Sequence, residues 1–190
     1  MNTTVIDAES GETKDIFETL LEKRILFLSD HIDDKKAQAF IQKVIYLDIS
    51  SEEHEKISVF LNVTGCDQQS LFMIYDVFSI IKSPIETILS GTCEQEAVLI
   101  LAAGTKGMRC ATKNSRLNFS PLFYENGIQS SIKNIKQVKN LFNKTNNKFI
   151  TLLAKHCGKS KEEVEKDLDE RLFLTASKCK QYGIVDNLLP

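Results

Sequence analysis

Hydrophobic positions along the chain follow two alternating patterns. Some stretches carry apolar residues at every third and fourth position, which is typical of helices with one packed face, and others are short continuous apolar runs, which are typical of buried strands. The helical spacing predicts helices at residues 15–23, 32–47, 70–81, 97–103 and about 128–157. The apolar runs predict strands at residues 24–28, 56–62, 85–89, 109–111 and 116–119. Strands that alternate with helices favour crossover connections, so the sequence predicts an α/β fold with a largely parallel sheet.

The last predicted helix, at about 128–157, differs from the others in its polar face. Lysines recur along it, at positions 133, 136, 139, 144 and 148, beside a thin apolar stripe. A helix with a narrow stripe buries little of itself in its own domain. We therefore expect it to project from the body and to bury the stripe against another subunit, with a solvated surface helix as the alternative.

The length and net charge of the chain limit the kinds of protein that it can be. A chain of 190 residues can bury a full core without disulfides or a structural metal, so we expect one domain over residues 1–190. The net charge of -2, with both signs interspersed, lacks the basic excess of nucleic-acid binding, so no nucleic-acid partner is expected. The five cysteines form neither a CxxC pair nor a zinc spacing and indicate free thiols, so no metal and no cofactor are expected.

Nothing in the apolar pattern points to a membrane. The longest apolar stretch, at 71–81, is too short to cross a bilayer, so no membrane partner is expected. Residues 1–14 are polar and acidic, which predicts neither a signal peptide nor a transit peptide in this chain.

The stretch GTCEQEAVLILAAG, at residues 91–104, has the pattern of a catalytic turn that leads into a helix. Such turns usually present a serine or cysteine at the start of the helix, but the central residues here are Glu94, Gln95 and Glu96. A glutamine amide has no ionisable proton to lose and is not a usable nucleophile. The stretch therefore predicts the geometry of a nucleophile turn without its usual nucleophile.

Five stretches, in order along nearly the whole chain, resemble the proteolytic subunit of the Clp protease, ClpP. They are LLEKRILFLSDHIDD (20–34), FLNVTGCDQQSLFMIYD (60–76), LILAAGTKGMRCATKNSRL (99–117), LLAKHCGK (152–159) and LTASKCKQYGIVDNLL (174–189). The resemblance implies a ClpP/crotonase-type α/β fold with an extended handle helix in the region of about 122–157. It also implies a flexible axial loop at residues 1–14 and seven-membered rings that stack face to face.

ClpP-type enzymes use a Ser-His-Asp triad, and the resemblance places its three positions on Gln95, Ser120 and Arg171. A serine hydroxyl cannot act as a general base near neutral pH, and an arginine reverses the charge of the third position. The oxyanion-hole positions fall on Cys66 and Glu96, and a carboxylate there would oppose a developing negative charge. We therefore expect no catalytic residues and an inactive paralogue of the ClpR type that is not an enzyme.

Two other chemistries remain open at this point. Cys66 and Cys93 flank the vacated position and could serve a residual peptidase, but no histidine falls where it could activate them. The histidines, at 31, 54 and 156, are interpreted as surface or capping residues. Glu94 and Glu96 could be acid/base groups of a crotonase-fold enzyme that acts on acyl-CoA substrates, or simply charges favoured at a helix start.

The positions that serve assembly in the family match this sequence better than those that serve catalysis. The resemblance implies a subunit that forms a homo-oligomeric ring, joins active ClpP-type subunits and contributes to the assembly or regulation of proteolysis. A Clp AAA+ chaperone is a further implied partner, and its apolar docking positions fall on Phe60, Ile80, Cys110 and Leu189. Aromatic anchors are usual where Ile80 and Cys110 stand, which weakens the predicted docking. The ClpR-type resemblance also implies a plastid-type organelle, such as an apicoplast or the chloroplast stroma.

Overall fold

A computed structural model describes residues 4–6, 13–120 and 132–190 of the chain. Its strands are β1 (Thr4–Ile6), β2 (Thr13–Asp15), β3 (Ile25–Ile32), β4 (Ile57–Cys66), β5 (Ile85–Glu94), β6 (Arg109–Thr112), β7 (Arg116–Phe119), β8 (Leu172–Thr175) and β9 (Asn187–Leu189). Its helices are α1 (Ile16–Glu22), α2 (Asp34–Ile49), α3 (Gln68–Ile80), α4 (Val98–Ala102), α5 (Ile132–Cys157), α6 (Lys161–Asp169) and α7 (Ala176–Tyr182). A short 3-10 helix, Gln95–Ala97, directly precedes α4.

Most of the strands form one sheet. Five of them run in the order β3-β4-β5-β6-β9, and each pairs with its neighbour in parallel. Strand β7 pairs in parallel with the carboxyl-terminal part of β5 and in antiparallel with β8. Parallel neighbours need crossover connections, which the helices between these strands provide. The predicted α/β fold with a largely parallel sheet is confirmed.

The predicted elements up to residue 119 are present, but three strands are longer than their apolar runs. Strands β3, β4 and β5 continue to residues 32, 66 and 94, whereas the apolar pattern stops at 28, 62 and 89. The added residues are largely polar because these strand ends reach the rim of the sheet. The sequence prediction also misses β1, β2, α6, β8, α7 and β9, which are all short. The capping box that starts α6, formed by Ser160 and Glu163, was the available signal.

The core is built around α4. All five residues of this helix are buried, and it lies beside β5, α3 and α5. A helix that is apolar on every side must be covered on every side. The position of the turn before it is therefore fixed by the surrounding core.

Helix α5 is buried at one end only. Phe149, Ile150, Leu153 and Ala154 lie in the core, whereas residues 136–148 are exposed or half-buried. This agrees with a helix whose first part projects from the body. Its burial against another subunit stays a prediction, and the predicted start at residue 128 lies outside the described residues.

The first residues of the chain contribute a small separate pairing. Strands β1 and β2 pair in antiparallel, and Asp15 caps α1 by accepting a hydrogen bond from the backbone N–H of Phe17 at 2.7 Å. The rest of the predicted axial loop, at 1–3 and 7–12, lies outside the described residues. In the part of the chain that the structure describes, no helix is long and apolar enough to cross a membrane.

Candidate functional site

The carboxyl-terminal ends of β3, β4 and β5 meet at one rim of the sheet. Asp30 pairs with Val63 and His31 with Gly65, so the regular register between β3 and β4 shifts at this point and leaves Thr64 without a partner in β3. Asp30 has a φ of 62°, in the left-handed region that non-glycine residues rarely adopt. Such irregularities redirect side chains. The rim of a parallel sheet at its carboxyl end is also where α/β proteins commonly place their sites.

A cavity of about 1030 Å³ opens at this rim, between the sheet and the projecting part of α5. On the sheet side it is lined by residues at or just after the ends of the three strands, and on the other side by side chains of α3 and α5. The polar lining residues used below are His31, Asp34, Cys66, Asp67, Gln95, Glu96 and Lys148.

Gln95 stands at the predicted nucleophile turn, directly after β5 and before the buried α4. Its φ of 52° is left-handed, a conformation that costs a non-glycine residue about 1–3 kcal/mol and that clusters at functional sites. Its side chain lines the cavity. The chain therefore keeps the strained geometry of a nucleophile turn and presents an amide from it.

The interpretation of His31 as a surface residue agrees with the structure, in which half of its side chain is exposed. Its imidazole lines the same cavity as Gln95, and its Nε2 lies 3.0 Å from Oδ1 of Asp67. Asp67 stands at the N-cap of α3 but does not cap the helix with its side chain, because that side chain is directed at His31. The register shift between β3 and β4 aims the imidazole here, and no residue pattern announces such a shift.

The other two histidines lie away from the cavity. His54 faces Asp48, with 3.6 Å between Nδ1 and Oδ1. His156 accepts or donates a hydrogen bond with the Tyr75 hydroxyl at 3.0 Å. Both therefore have structural partners.

The two cysteines that flank the turn are poor nucleophiles. Burial, and then the nearby carboxylates of Glu96 and Asp67, raise the pKa of the Cys66 thiol far above its usual range. Burial does the same for the pKa of Cys93, which is fully enclosed. Because the thiolate is the reactive form, neither residue is suited to cysteine-protease chemistry.

The three positions assigned to the triad lie just beyond the ends of paired strands. Glu94 pairs with Asn118 across β5 and β7, and Phe119 pairs with Leu172 across β7 and β8. Gln95, Ser120 and Arg171 each adjoin one of these paired residues. Their assignment to triad roles stays a prediction.

Two of those positions show unusual local structure. Ser120 is buried, and its hydroxyl has no hydrogen-bond partner among the described residues. Arg171 has a φ of 52°, in the left-handed region. Neither residue is among those that line the cavity, which separates them from the side chains of His31 and Gln95.

Glu96, at the second oxyanion-hole position, is 4% exposed and lines the cavity. Among the described residues no cluster of three or more histidine, cysteine, aspartate or glutamate side chains could hold a metal ion. What the cavity offers chemically is an imidazole paired with a carboxylate, facing an amide, in an acidic surrounding.

The predicted chaperone-docking positions are partly brought together on the sheet. Phe60, Ile88 and Cys110 are register partners across β4, β5 and β6 and form one row. Phe27 extends the row at its edge, and its ring stacks on that of Phe60 at 5.3 Å between centroids. Two of the predicted positions lie outside the row. Leu189 pairs with Thr112, which lies two residues after Cys110 along β6. Ile80 is the last residue of α3 and is 75% exposed.

Comparison with known proteins gives two consistent matches. The family model described as Clp protease matches residues 8–190. The curated relative named ATP-dependent Clp protease proteolytic subunit 1, from Thermobifida fusca (strain YX), is 33% identical over 174 residues, which are 92% of this chain and 78% of that protein. The match supports the ClpP-type α/β fold over the described elements. It lends no support to the acyl-CoA alternative.

These matches correct one expectation. We expected a protein that is not an enzyme, because the positions of the serine, histidine and aspartate carry other residues. The relative is named as a proteolytic subunit, which is a peptidase, and the family model is that of a protease. Substitution at the triad positions alone therefore does not show that the chain lacks activity.

Proposed function

The chain belongs to the Clp protease family, and on that premise we propose that it is a ring-forming subunit of a Clp protease complex, of the ClpR type. In this role it contributes to the assembly or regulation of ATP-dependent proteolysis. Its partners are copies of itself, in a seven-membered ring, and active ClpP-type subunits. We also propose a plastid-type organelle as the compartment, which follows from the ClpR-type resemblance alone.

The observation that carries the proposal is Gln95. The turn keeps a left-handed φ of 52° and the buried helix α4 behind it, while the residue at its centre has no nucleophilic group. Backbone strain of this kind persists only where the surrounding structure enforces it. The retained geometry supports a structural role for this turn. Ring assembly does not depend on a serine at that position.

The projecting part of α5 supports assembly. Leu141 is 66% exposed, and Val138 and Phe142 beside it are half-buried. Apolar side chains grouped on one face of a helix indicate a surface that a partner covers. A neighbouring subunit in a ring is the partner that the family implies.

The exposed Phe27 and the half-buried Phe60, at one end of the row that continues to the buried Ile88 and Cys110, support docking of a Clp AAA+ chaperone. Two stacked aromatic rings at one end provide the kind of anchor on which such interfaces depend. Cys110 offers less apolar surface than an aromatic residue would, so we propose that chaperone binding is weaker than in family members with aromatic side chains there.

Light scattering tests the proposed assembly on the full chain. We expect a particle of seven or fourteen subunits of 21.5 kDa each, and co-expression with an active ClpP-type subunit should yield particles that contain both chains. Leu141→Lys should dissociate the particle because it places a charge in the interface. Asn140→Lys adds the same charge on an exposed neighbouring position and should leave the particle intact. A stable monomer of the unaltered chain would contradict the proposal.

A further inference from the structure

Helix α5 carries charges of one sign only. Its 26 residues include six lysines and no acidic residue, although the chain as a whole has 26 aspartates and glutamates. Around the surface helix α6, by contrast, Lys166 pairs with Glu170 four positions on. Lys159 pairs with Glu163 in the same way. Such pairs stabilise a helix that faces only water, so exposure to water alone does not account for the charges of α5.

Two lysines border the apolar stripe of the projecting half, which comprises Val138, Leu141 and Phe142. Residues three positions apart are neighbours on a helix, so Lys139 adjoins Phe142. Lys144 adjoins Leu141 for the same reason. Because each residue turns the helix by about 100°, the two lysines lie on opposite sides of the stripe. Both are exposed, and neither forms an ion pair with any residue in the described part of the chain.

The two lysines are directed away from the acidic cavity. Leu141 and Phe142 line the cavity, whereas Lys139 and Lys144 do not. The carboxylates on the sheet side of the cavity, such as that of Asp34, therefore lie across the cavity from the stripe and do not compensate these lysines. Toward the outside of the molecule, the stripe is bordered by positive charge.

The shape of this surface favours a protein chain over a membrane. Leu141 is 66% exposed, and it stands at the edge of a cavity of about 1030 Å³. A flat bilayer contacts only the outermost residues of such a surface, whereas a helix or strand of another chain can enter the groove between α5 and the sheet. The net charge of -2 on the whole chain also opposes attraction to an anionic membrane.

Building on the proposed assembly role, in which a neighbouring subunit covers the stripe, we propose that the projecting half of α5 binds a different chain, whose surface presents apolar side chains bordered by carboxylates. In a symmetric contact between two copies of this chain, the same faces meet, so Lys139 and Lys144 of one copy come close to the lysines of the other. Such a contact buries the stripe but opposes like charges. An acidic partner buries the stripe and attracts both lysines. Mixed assemblies are therefore favoured over assemblies of this chain alone.

Salt distinguishes the two kinds of contact. At about 0.1 M salt, exposed charges are screened beyond about 10 Å, and the screening grows as salt is added. Added salt should therefore weaken the contact with an acidic partner and strengthen the contact between two copies of this chain.

Binding of two synthetic peptides to the purified full chain tests the proposed partner. One peptide has the sequence of residues 132–150, and the other has glutamate in place of Lys136, Lys139 and Lys144. Their apolar residues are identical, so only the charge differs. At about 0.05 M salt, fluorescence anisotropy should show about tenfold tighter binding of the glutamate peptide, because its charges attract those of α5. At about 0.5 M salt, most of this difference should disappear.

Charge reversal on the chain itself provides a matched control. Lys139→Glu combined with Lys144→Glu should invert the preference, so that the lysine peptide binds more tightly. Lys178→Glu combined with Lys180→Glu changes the net charge of the chain by the same amount at exposed positions of α7. This second double variant should leave the preference unchanged.

Equal binding of the two peptides, or the same change of preference in both double variants, would overturn the proposal. Binding of the unaltered chain to vesicles of phosphatidylserine and phosphatidylcholine, if the α5 double variant abolished it, would assign the surface to a membrane instead. Particles of the unaltered chain that dissociate as salt rises, and that the α5 double variant does not form, would show by light scattering that a second copy supplies the carboxylates. A monomeric unaltered chain contradicts the assembly role whichever peptide it prefers, whereas particles without a peptide preference contradict only the acidic partner.

Discussion

A buried ion pair joins the end of the sheet to helix α5, and its removal gives the sharpest test of the fold. The Arg109 side chain is 1% exposed and donates to both carboxylate oxygens of Asp186, through Nε at 2.8 Å and Nη2 at 2.7 Å. Arg109 Nη1 also donates to the backbone oxygen of His156 at 3.1 Å. The backbone N–H of Gly107 donates to Asp186 at 2.7 Å. The pair therefore holds β6, the segment before β9 and the end of α5 together.

Asp186→Ala leaves the guanidinium of Arg109 buried without its counter-charge. Loss of one partner of a buried pair typically costs about 3–5 kcal/mol, because the remaining charge stays desolvated. We expect the free energy of unfolding at pH 7, measured by urea titration, to fall by about this amount. Glu170→Gln is the control, since Glu170 pairs with Lys166 at 3.7 Å on the exposed face of α6, and exposed pairs contribute less than about 1 kcal/mol.

The pH dependence of stability provides an independent check. Burial alone would raise the pKa of the Asp186 carboxyl, but hydrogen bonds from Arg109 and Gly107, together with the charge of Arg109, hold that pKa well below its usual range. A lowered folded-state pKa stabilises the protein above the unfolded value of about 3.9, and the stabilisation is lost as the pH falls through the folded-state pKa. Asp186→Ala should remove this part of the acid sensitivity below about pH 4. A loss under about 1 kcal/mol at pH 7, similar to that of the exposed control, would refute the reasoning.

Two further predictions concern packing and thiol reactivity. Gly104→Ala should destabilise the fold by about 1–3 kcal/mol in the same urea titration, because its Cβ would lie 2.4 Å from Thr87 Oγ1. That hydroxyl donates a hydrogen bond to a backbone oxygen of α4. An unchanged midpoint would show that the contact relaxes freely. Cys66, Cys93 and Cys179 should resist iodoacetamide at pH 8 in the folded protein and react in urea, because burial raises their pKa values, that of Cys179 to about 12. Mass spectrometry counts the labels, and rapid labelling of any of the three in the folded state would contradict their burial.

Much of the fold could be predicted from the sequence because its strands and helices carry strong periodic signals. Loops rarely contain apolar patterns as long and regular as those of the strands β3, β4 and β5 and the helices α2, α3 and α5. The ends of the same strands gave no such signal, because polar residues there interrupt the buried Ile32, Val63 and Cys93. The short elements after α5 were missed because a helix or strand of few residues contains too few positions to establish a period.

The candidate site could be predicted only in part. The turn at Gln95 is recognisable because a local pattern, a strand followed by small and polar residues and an apolar helix, determines its geometry. The sequence did not predict that His31 lines the same cavity as Gln95, because the position of His31 depends on pairing between two strands that lie far apart in the sequence. The comparison of triad positions led to an expectation about enzymatic character that the match to the Clp protease family contradicts, because substitutions at single positions were taken as the loss of the whole activity.

The unpaired Thr64 in β4 has a consequence for how this region tolerates change. Side chains alternate between the two faces of a strand, so a one-residue shift moves every following side chain to the opposite face. Removing Thr64 would allow β4 to continue in regular pairing with β3 and would exchange the faces of Gly65 and Cys66. Deletion of Thr64 should therefore change which side chains β4 presents to the cavity at this end of the sheet.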